Sequence, residues 1–282
     1  MEARWLSWKQ REGLTILLPE TVEELLVADV DIVADVYERF KSLRRRMPLK
    51  KKNSTTGEKE RNPKLKELDK IFKYKNKYDD KIADFFVKHA AELHVSSCYY
   101  CETAYINVYN TKKRQFDVDH FIPKEKCPIL GLSLFNFVPS CQVCNSRIKL
   151  SKILGKDKAD YEAFNPAGEH YSFDSNVRIH LRKKPGYKHD LSNPDAYYIY
   201  FRCKNGFRKD VRFFHLQERY EFHKLAAIRI KKLRQQYPLS ARRKIARILG
   251  VSESVVKEDL FHEQFMKDNN RCFTKLTLDM LK

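Results

Sequence analysis

The sequence of 282 residues contains few glycines and no long apolar run. Only 8 residues are glycine, and neither a GxGxxG nor a GxxxxGK(S/T) pattern occurs, which argues against a glycine-rich nucleotide cradle. No stretch reaches the roughly 20 apolar residues that cross a bilayer. The first residues, MEARWLSWKQREG, also lack the apolar core and cleavage site of a signal peptide. We therefore expect a cytoplasmic protein with no membrane partner.

Acidic residues are scarce relative to basic ones. The chain has 56 Lys and Arg against 37 Asp and Glu, a formal net charge of +19. Such a surface attracts polyanions, with nucleic acid the first candidate and anionic lipid the second. The alternative is a protein whose charges only keep it dispersed. At 42% hydrophobic residues, the chain can still bury a core.

Four of the seven cysteines form two C-x2-C pairs, Cys98 with Cys101 and Cys141 with Cys144. In a reducing cytosol, doubled pairs are typical of metal ligands rather than disulfides, and four thiolates complete a tetrahedral Zn²⁺ site. A redox C-x-x-C motif explains the duplication poorly. We interpret the remaining three as small buried residues: Cys127, Cys203 and Cys272.

The flanks of this cysteine region are mainly helical in pattern. Apolar residues recur at helical spacing in 21–46, where Thr21 and Glu24 resemble a capping box, and again from Pro63 to the first cysteine pair. The basic stretch at about 43–63 predicts a mobile linker, and a phosphate-contacting arm is equally compatible with it.

Two β-hairpins and a short helix are predicted in the middle of the chain. The first hairpin turns at Asn110-Thr111-Lys112, and the second turns at Lys204-Asn205-Gly206. The short helix follows Cys144 in the sequence CNSRIKLSKIL.

The last seventy residues return to basic amphipathic helix. Within them, RRKIARILGVSESVVKEDL has the spacing of a helix-turn-helix, but its second helix is acidic and would repel phosphate. We interpret it as a plain helical hairpin. The preceding basic helix is a better candidate for contacts to a nucleic-acid backbone, through Arg229, Lys231, Lys232 and Arg234.

A further set of polar residues lies between and beside the cysteine pairs. Asp119-His120 stands in DVDHFIP, Asn136 follows sixteen residues after His120, and Asn145 directly follows Cys144. This ordered set resembles the HNH endonuclease family, whose ββα-metal fold is often braced by zinc held on two C-x-x-C knuckles. The resemblance covers about 55 residues and implies hydrolysis of phosphodiester bonds in DNA or RNA.

The resemblance also implies a role for each residue. His120 would be the general base, Asn136 would tie down a loop through backbone hydrogen bonds, and Asp119 with Asn145 would hold Mg²⁺ or Mn²⁺. The family commonly has a second histidine where this chain has Asn145, so it is an HNN variant; an amide oxygen is an acceptable hard ligand. Asp117 is a further metal ligand or a solvated acid, and we favour the solvated acid.

Two lysines could offset the charge of a scissile phosphate. Lys149 lies one helical turn after Asn145, and Lys124 follows the Asp-His strand. A solvent-facing position is nearly as compatible with either lysine. We predict both as substrate-binding residues.

The segments CYYCE, DHFIPK and NFVPSCQVCNSRIK are most similar to HNH endonucleases of bacterial anti-phage defence, the Septu-type and retron-associated proteins. This similarity implies an effector that cuts DNA or tRNA beside an ATPase partner encoded next to it.

We therefore predict an α+β protein with a zinc-braced ββα-metal nuclease core and mainly helical flanks. The predicted regions are a helical 1–92, the nuclease core at 93–155, and a β-hairpin with basic helices at 156–282. The alternative function is a non-catalytic, zinc-dependent adaptor that binds nucleic acid or protein.

Overall fold

The computed structural model describes residues 1–14, 19–54, 56–74, 77–110, 113–269 and 271–282. The chain is α+β, as predicted, and it is about half helical with small antiparallel sheets. None of the helices in these ranges combines the length and apolar character needed to cross a bilayer.

The chain forms two compact units, each assembled from separate segments. The first unit comprises Met1–His89, Asn110–Lys113 and Asp117–Ser172. The second comprises Ala90–Tyr109, Arg114–Phe116 and Phe173–Lys282. The division of the chain into 1–92, 93–155 and 156–282 stays a prediction.

Most of the first unit is helical. Its helices are α1 (Glu2–Glu12), α2 (Val22–Val27), α3 (Val30–Ser42), α4 (Pro63–Ile71), α5 (Asp79–Lys88) and α6 (Lys158–Phe164). The predicted capping box is confirmed, because Thr21 accepts a hydrogen bond from the Glu24 N–H and Glu24 accepts one from the Thr21 N–H. Asp29 accepts from the Ile32 N–H at 2.9 Å and starts a separate helix there.

The basic stretch at 43–63 contains a short hairpin as well as loop. Strand β1 (Lys50–Lys52) pairs antiparallel with β2 (Lys59–Arg61). Between them, the Gly57 N–H donates to the Asn53 carbonyl at 3.0 Å, and Gly57 takes a φ of 73° that suits glycine. The run of charged residues did not predict this hairpin, because lysine is depleted in strands.

The region of the cysteine pairs holds two further small sheets. Strands β3 (Val108–Asn110) and β4 (Lys113–Arg114) form the first predicted hairpin, although turn residues 111 and 112 lie outside the described residues. Strand β5 (Asp117–His120) is not part of that hairpin. It pairs antiparallel with β6 (Phe137–Ser140), with Asp119 opposite Val138 and His120 opposite Phe137.

The helix predicted after Cys144 is present, but it is a π-helix over Val143–Lys149. Its wider turn is closed by the Leu150 N–H, which donates to the Asn145 carbonyl five residues earlier at 2.8 Å.

The second unit combines one hairpin with many helices. Helix α7 (Phe173–Asn176) leads into β7 (Val177–Lys183), which pairs antiparallel with β8 (Tyr197–Cys203). The helices that follow are α8 (Arg208–Phe213), α9 (Leu216–Glu221), α10 (Lys224–Gln236), α11 (Leu239–Leu249), α12 (Glu253–Phe261), α13 (Glu263–Asp268) and α14 (Thr274–Leu281).

The hairpin predicted to turn at Lys204-Asn205-Gly206 is wrong, although its first strand is present as β8. Asn205 and Gly206 both take the positive φ of a tight turn, 46° and 79°. The chain then enters α8, and β8 pairs with the preceding strand β7 instead. The Asn-Gly signal therefore identified a turn and not the partner of the strand.

The two helices predicted near the carboxyl end are present as α11 and α12, and the choice of a plain helical hairpin over a helix-turn-helix stays a prediction. Gly250 ends α11 with a φ of 67°, and Ser252 begins α12 by accepting from the Val255 N–H. Arg242 and Glu253 pair across the two helices at 2.5 Å.

Candidate active site and zinc centre

A two-stranded sheet followed by a helix positions the predicted catalytic residues. Asp119 and His120 end β5, Asn136 precedes β6 by one residue, and Asn145 lies on the π-helix. Three of these residues, Asp119, His120 and Asn145, line one cavity of about 390 Å³. The structure thus brings together side chains that are 26 residues apart along the chain.

His120 is held in one tautomer by a backbone carbonyl. Its Nε2 lies 3.0 Å from the Gly131 oxygen, which can only accept, so Nε2 carries the proton. The lone pair is left on Nδ1. Burial lowers the pKa of His120 to about 3, with further lowering from the positive charge of Lys124. The imidazole is therefore neutral at physiological pH, with its Nδ1 unprotonated.

Aromatic rings fix the plane of this imidazole. The Tyr74 ring lies edge-on to it at 4.6 Å between centroids, and the Phe137 ring lies at 4.8 Å. Tyr74 also lines the cavity. The sequence offered no signal for Tyr74, which is 46 residues before His120 in an unremarkable basic segment.

Asn136 is fully buried and makes three hydrogen bonds to backbone. Its amide oxygen accepts from the Ile122 N–H at 2.8 Å, and its amide nitrogen donates to the carbonyls of Ile122 and Leu130, each at 3.0 Å. These bonds tie the two ends of the loop between β5 and β6 together. Asn136 therefore braces the loop between β5 and β6 through hydrogen bonds to backbone, whereas the resemblance implied a loop between hairpin and helix.

Asp117 orients the amide of Asn145. The Asn145 nitrogen donates to the Asp117 carboxylate at 3.0 Å, and the Ser146 hydroxyl donates to the same oxygen at 3.3 Å. Because the amide nitrogen is engaged, the amide oxygen of Asn145 is the atom left for a cation. Asp117 is accordingly a hydrogen-bonded, half-buried side chain, and not the solvated acid that we favoured.

Lys149 was predicted to bind substrate, but the structure places it in the interior of the protein. Its side chain is completely buried, and its ammonium lies 3.0 Å from the Asp119 carboxylate and donates to the His120 carbonyl at 2.6 Å. Burial lowers the pKa of Lys149, and the adjacent Asp119 charge opposes that shift. The π-turn rotates Lys149 away from ordinary helical spacing. A phosphate-binding role for Lys149 does not fit this geometry.

Lys124 remains available at the cavity. Its ammonium lies 5.3 Å from the centre of the Tyr74 ring and 3.4 Å from Glu125, and its side chain is 38% exposed. Lys124 and Glu125 both line the cavity. The sequence analysis identified Lys124 as a residue of the site but did not identify Glu125. The position of Glu125 in DHFIPKE, shortly after the predicted base, could have indicated that it lines the same cavity.

The four paired cysteines meet in a buried cluster that could hold a zinc ion. The sulfur atoms of Cys98, Cys101, Cys141 and Cys144 all lie within 4.8 Å of one another. Tetrahedral zinc with bonds of about 2.3 Å sets the sulfur atoms about 3.8 Å apart, so small shifts suffice. Across the described residues, this is the one group of three or more His, Cys, Asp or Glu ligands so arranged.

Hydrogen bonds to sulfur suit thiolates at this cluster. The Cys144 N–H lies 3.5 Å from the Cys141 sulfur. The Cys101 sulfur accepts from the Thr103 hydroxyl at 3.2 Å and from the Arg219 guanidinium at 3.1 Å. A positive guanidinium offsets part of the negative charge that four thiolates bring. No sequence pattern indicated Arg219, because it lies 118 residues away from Cys101.

The three single cysteines lie outside the cluster. Cys127 and Cys272 are buried, as predicted, whereas Cys203 is half-buried at the end of β8. Burial also raises the pKa of the Cys127 thiol, which makes this cysteine unreactive.

Comparison with known proteins gives no relative: no family model, no curated protein and no solved structure matches this chain. The family assignment therefore stays a prediction that depends on the chain's own residues.

Lys149→Met should destabilise the first unit, because it leaves the Asp119 carboxylate buried without its cation. We expect a loss of about 3 kcal/mol in the free energy of unfolding, measured by urea titration. Arg147→Met on the same helix is the control, since Arg147 is exposed and should change stability by less than about 0.5 kcal/mol. Equal stability of the two variants would contradict the buried ion pair.

Cys141→Ser should lower zinc content and thermal stability together, because the ion supplies folding energy only when its ligand set is complete. Zinc per chain is measured by elemental analysis and stability by the melting temperature. Cys203→Ser, outside the cluster, should retain the wild-type zinc content. A Cys141→Ser variant that melts like the wild type without zinc would exclude a structural role for the ion.

Proposed function

We propose that the protein is a metal-dependent HNH-type endonuclease that hydrolyses phosphodiester bonds in DNA or RNA. One observation carries the proposal: Asp119, His120 and Asn145 line a single cavity whose wall is braced by Asn136. A purely structural zinc module has no need of a neutral, tautomer-fixed histidine facing a cavity beside two oxygen donors.

The donor set at the cavity fits a hard divalent cation. Asp119 offers carboxylate oxygens and Asn145 offers its amide oxygen, which are ligand types that Mg²⁺ and Mn²⁺ accept. Such an ion, when bound, would supply positive charge to the phosphate and to the leaving 3′ oxygen. Asp117 would hold the Asn145 amide in its ligand orientation, and Lys149 would hold the Asp119 carboxylate in place.

His120 would act as the general base. With Nε2 fixed on the Gly131 carbonyl, Nδ1 takes the proton from the attacking water. Burial keeps this imidazole neutral at cellular pH, so the lone pair of Nδ1 is not already protonated. Lys124, at the rim of the cavity, would contribute charge to bind the phosphate. Asn136 would act indirectly, by fixing the loop that carries Lys124 and Gly131.

The local architecture supports the family assignment. Strand β5, strand β6 and the π-helix follow one another in the order of a ββα-metal core. The buried four-cysteine cluster would supply the zinc brace expected of that core. The net charge of +19 favours a polyanionic substrate. By the sequence resemblance, we extend the proposal to an anti-phage effector that cuts DNA or tRNA in the cytoplasm beside an ATPase partner.

A second candidate is a non-catalytic zinc-dependent adaptor that binds nucleic acid or protein. The Asp119–Lys149 ion pair favours it, because a carboxylate already paired with a cation binds a second cation less strongly. Incubating the purified protein with plasmid and tRNA separates the two functions. Only the endonuclease cleaves with Mg²⁺ or Mn²⁺ and stops cleaving with EDTA.

His120→Ala should reduce cleavage at least 100-fold, because general-base catalysis contributes 10²–10⁴-fold. Zinc content and nucleic-acid affinity should stay at wild-type values. His170→Ala serves as the control, since His170 is 63% exposed and pairs with Asp31 rather than lining the cavity. Cleavage at the wild-type rate in the His120→Ala variant would remove His120 from the mechanism.

The pH profile of the same reaction provides a second readout. A base with a pKa of about 3 stays neutral when the pH falls from 8 to 5, so its protonation should not slow cleavage in that window. A loss of rate between pH 8 and pH 5 would contradict the assignment of His120 as a base that stays neutral in that window.

A further inference from the structure

The outer face of the β7–β8 ribbon has an unusual composition. Side chains alternate along each strand, and one set, including Ile179, Ile199 and Phe201, is buried in the second unit. The opposite set forms what we call the outer face. It consists of Arg178, His180, Arg182, Tyr198, Tyr200 and Arg202. The outer face thus carries three guanidinium groups and three rings, with no acidic residue.

The register places these groups side by side. His180 lies opposite Tyr200, Arg182 lies opposite Tyr198, and Arg178 lies opposite Arg202. The Arg182 guanidinium is 3.7 Å from the centre of the Tyr200 ring, a stacking distance. Two like charges directly opposite each other disfavour strand pairing.

Only part of this charge is compensated. Arg178 pairs with Asp279 of α14 at 3.1 Å. Arg182 and Arg202 are exposed, and neither forms an ion pair with any residue that the structure describes. The tyrosines are half-buried, so each ring keeps accessible surface. The outer face is therefore positive, aromatic and partly exposed.

Such a surface is suited to single-stranded nucleic acid. Aromatic rings and guanidinium planes stack on unpaired bases, and arginines bind the intervening phosphates. A duplex hides its base faces and could use only the charge. An acidic protein segment would also match the charge, but its carboxylates would not stack on the aromatic rings.

We propose that the outer face of the β7–β8 ribbon is a binding platform for single-stranded nucleic acid. The proposal deepens the proposed nuclease function, on which it rests for the class of partner, by naming the strand state of the polymer that is bound. Tyr198 and Tyr200 stack on bases, and Arg182 and Arg202 contact phosphates.

The test measures affinity in the full-length protein carrying His120→Ala, so that no cleavage interferes. Fluorescence anisotropy follows binding of labelled 20-nucleotide oligothymidylate, oligouridylate and a 20-base-pair duplex in buffer without Mg²⁺. Added to this background, Tyr198→Ala and Tyr200→Ala should each weaken single-strand binding about tenfold. Duplex affinity should change less than about twofold. Tyr200→Phe retains a stacking ring and should bind like the parent.

Two further variants complete the test, one as a control and one as a probe of the phosphate contacts. Tyr187→Ala removes another exposed tyrosine, in the connection between the strands, and should leave the affinity unchanged. Arg202→Gln changes an exposed side chain and should reduce the slope of log affinity against log salt by about 0.7 for single strands. Melting temperatures confirm that each variant is folded.

Parent-like binding by the folded alanine variants would overturn the proposal. Equal losses for single strands and duplex would also overturn it, because they would indicate contacts to phosphate alone. The result is independent of catalysis. If the tyrosine variants lose single-strand binding and the wild-type protein cleaves neither plasmid nor tRNA, the platform is supported and the nuclease is refuted. If the wild-type protein cleaves and the tyrosine variants bind like the parent, the nuclease is supported and the platform is refuted.

Discussion

The candidate active site depends on one buried ion pair. Lys149 is completely buried, and its ammonium binds both the Asp119 carboxylate and the His120 carbonyl. These contacts join the end of the π-helix to the end of β5. A buried ammonium is stable only with such partners, so the pair fixes where helix and strand meet. The positions of His120 and Asn145 relative to each other follow from that junction.

Each functional side chain in the cavity is oriented by another group. The Gly131 carbonyl selects the tautomer of His120, Asp117 selects the amide orientation of Asn145, and Lys149 holds Asp119. Asn136 closes the loop between β5 and β6. Supporting contacts of this kind let a site bind an ion and a phosphate without reorganising. The same pattern recurs at the cysteine cluster, where Arg219 donates to the Cys101 sulfur.

Local patterns in the sequence predicted the elements better than their partners. The capping box at Thr21, the strand that became β8 and the spacing of the cysteine pairs are all features of short segments. Pairing is non-local, and so the neighbour predicted for β8 is wrong. The burial of Lys149 was missed for a related reason. The prediction that Lys149 shares a face with Asn145 depends on α-helical spacing. This segment forms a π-helix instead, which no residue pattern predicted.

The most direct measurement of the central claim is a crystal structure of the protein soaked in Mn²⁺, with anomalous scattering recorded at the manganese edge. We expect an anomalous peak in the cavity of about 390 Å³, bound by the Asp119 carboxylate and the Asn145 amide oxygen, and no such peak in Asp119→Ala. A cavity without a peak, in crystals whose cysteine cluster holds zinc, would contradict the account and leave a zinc-binding scaffold without a hydrolytic centre.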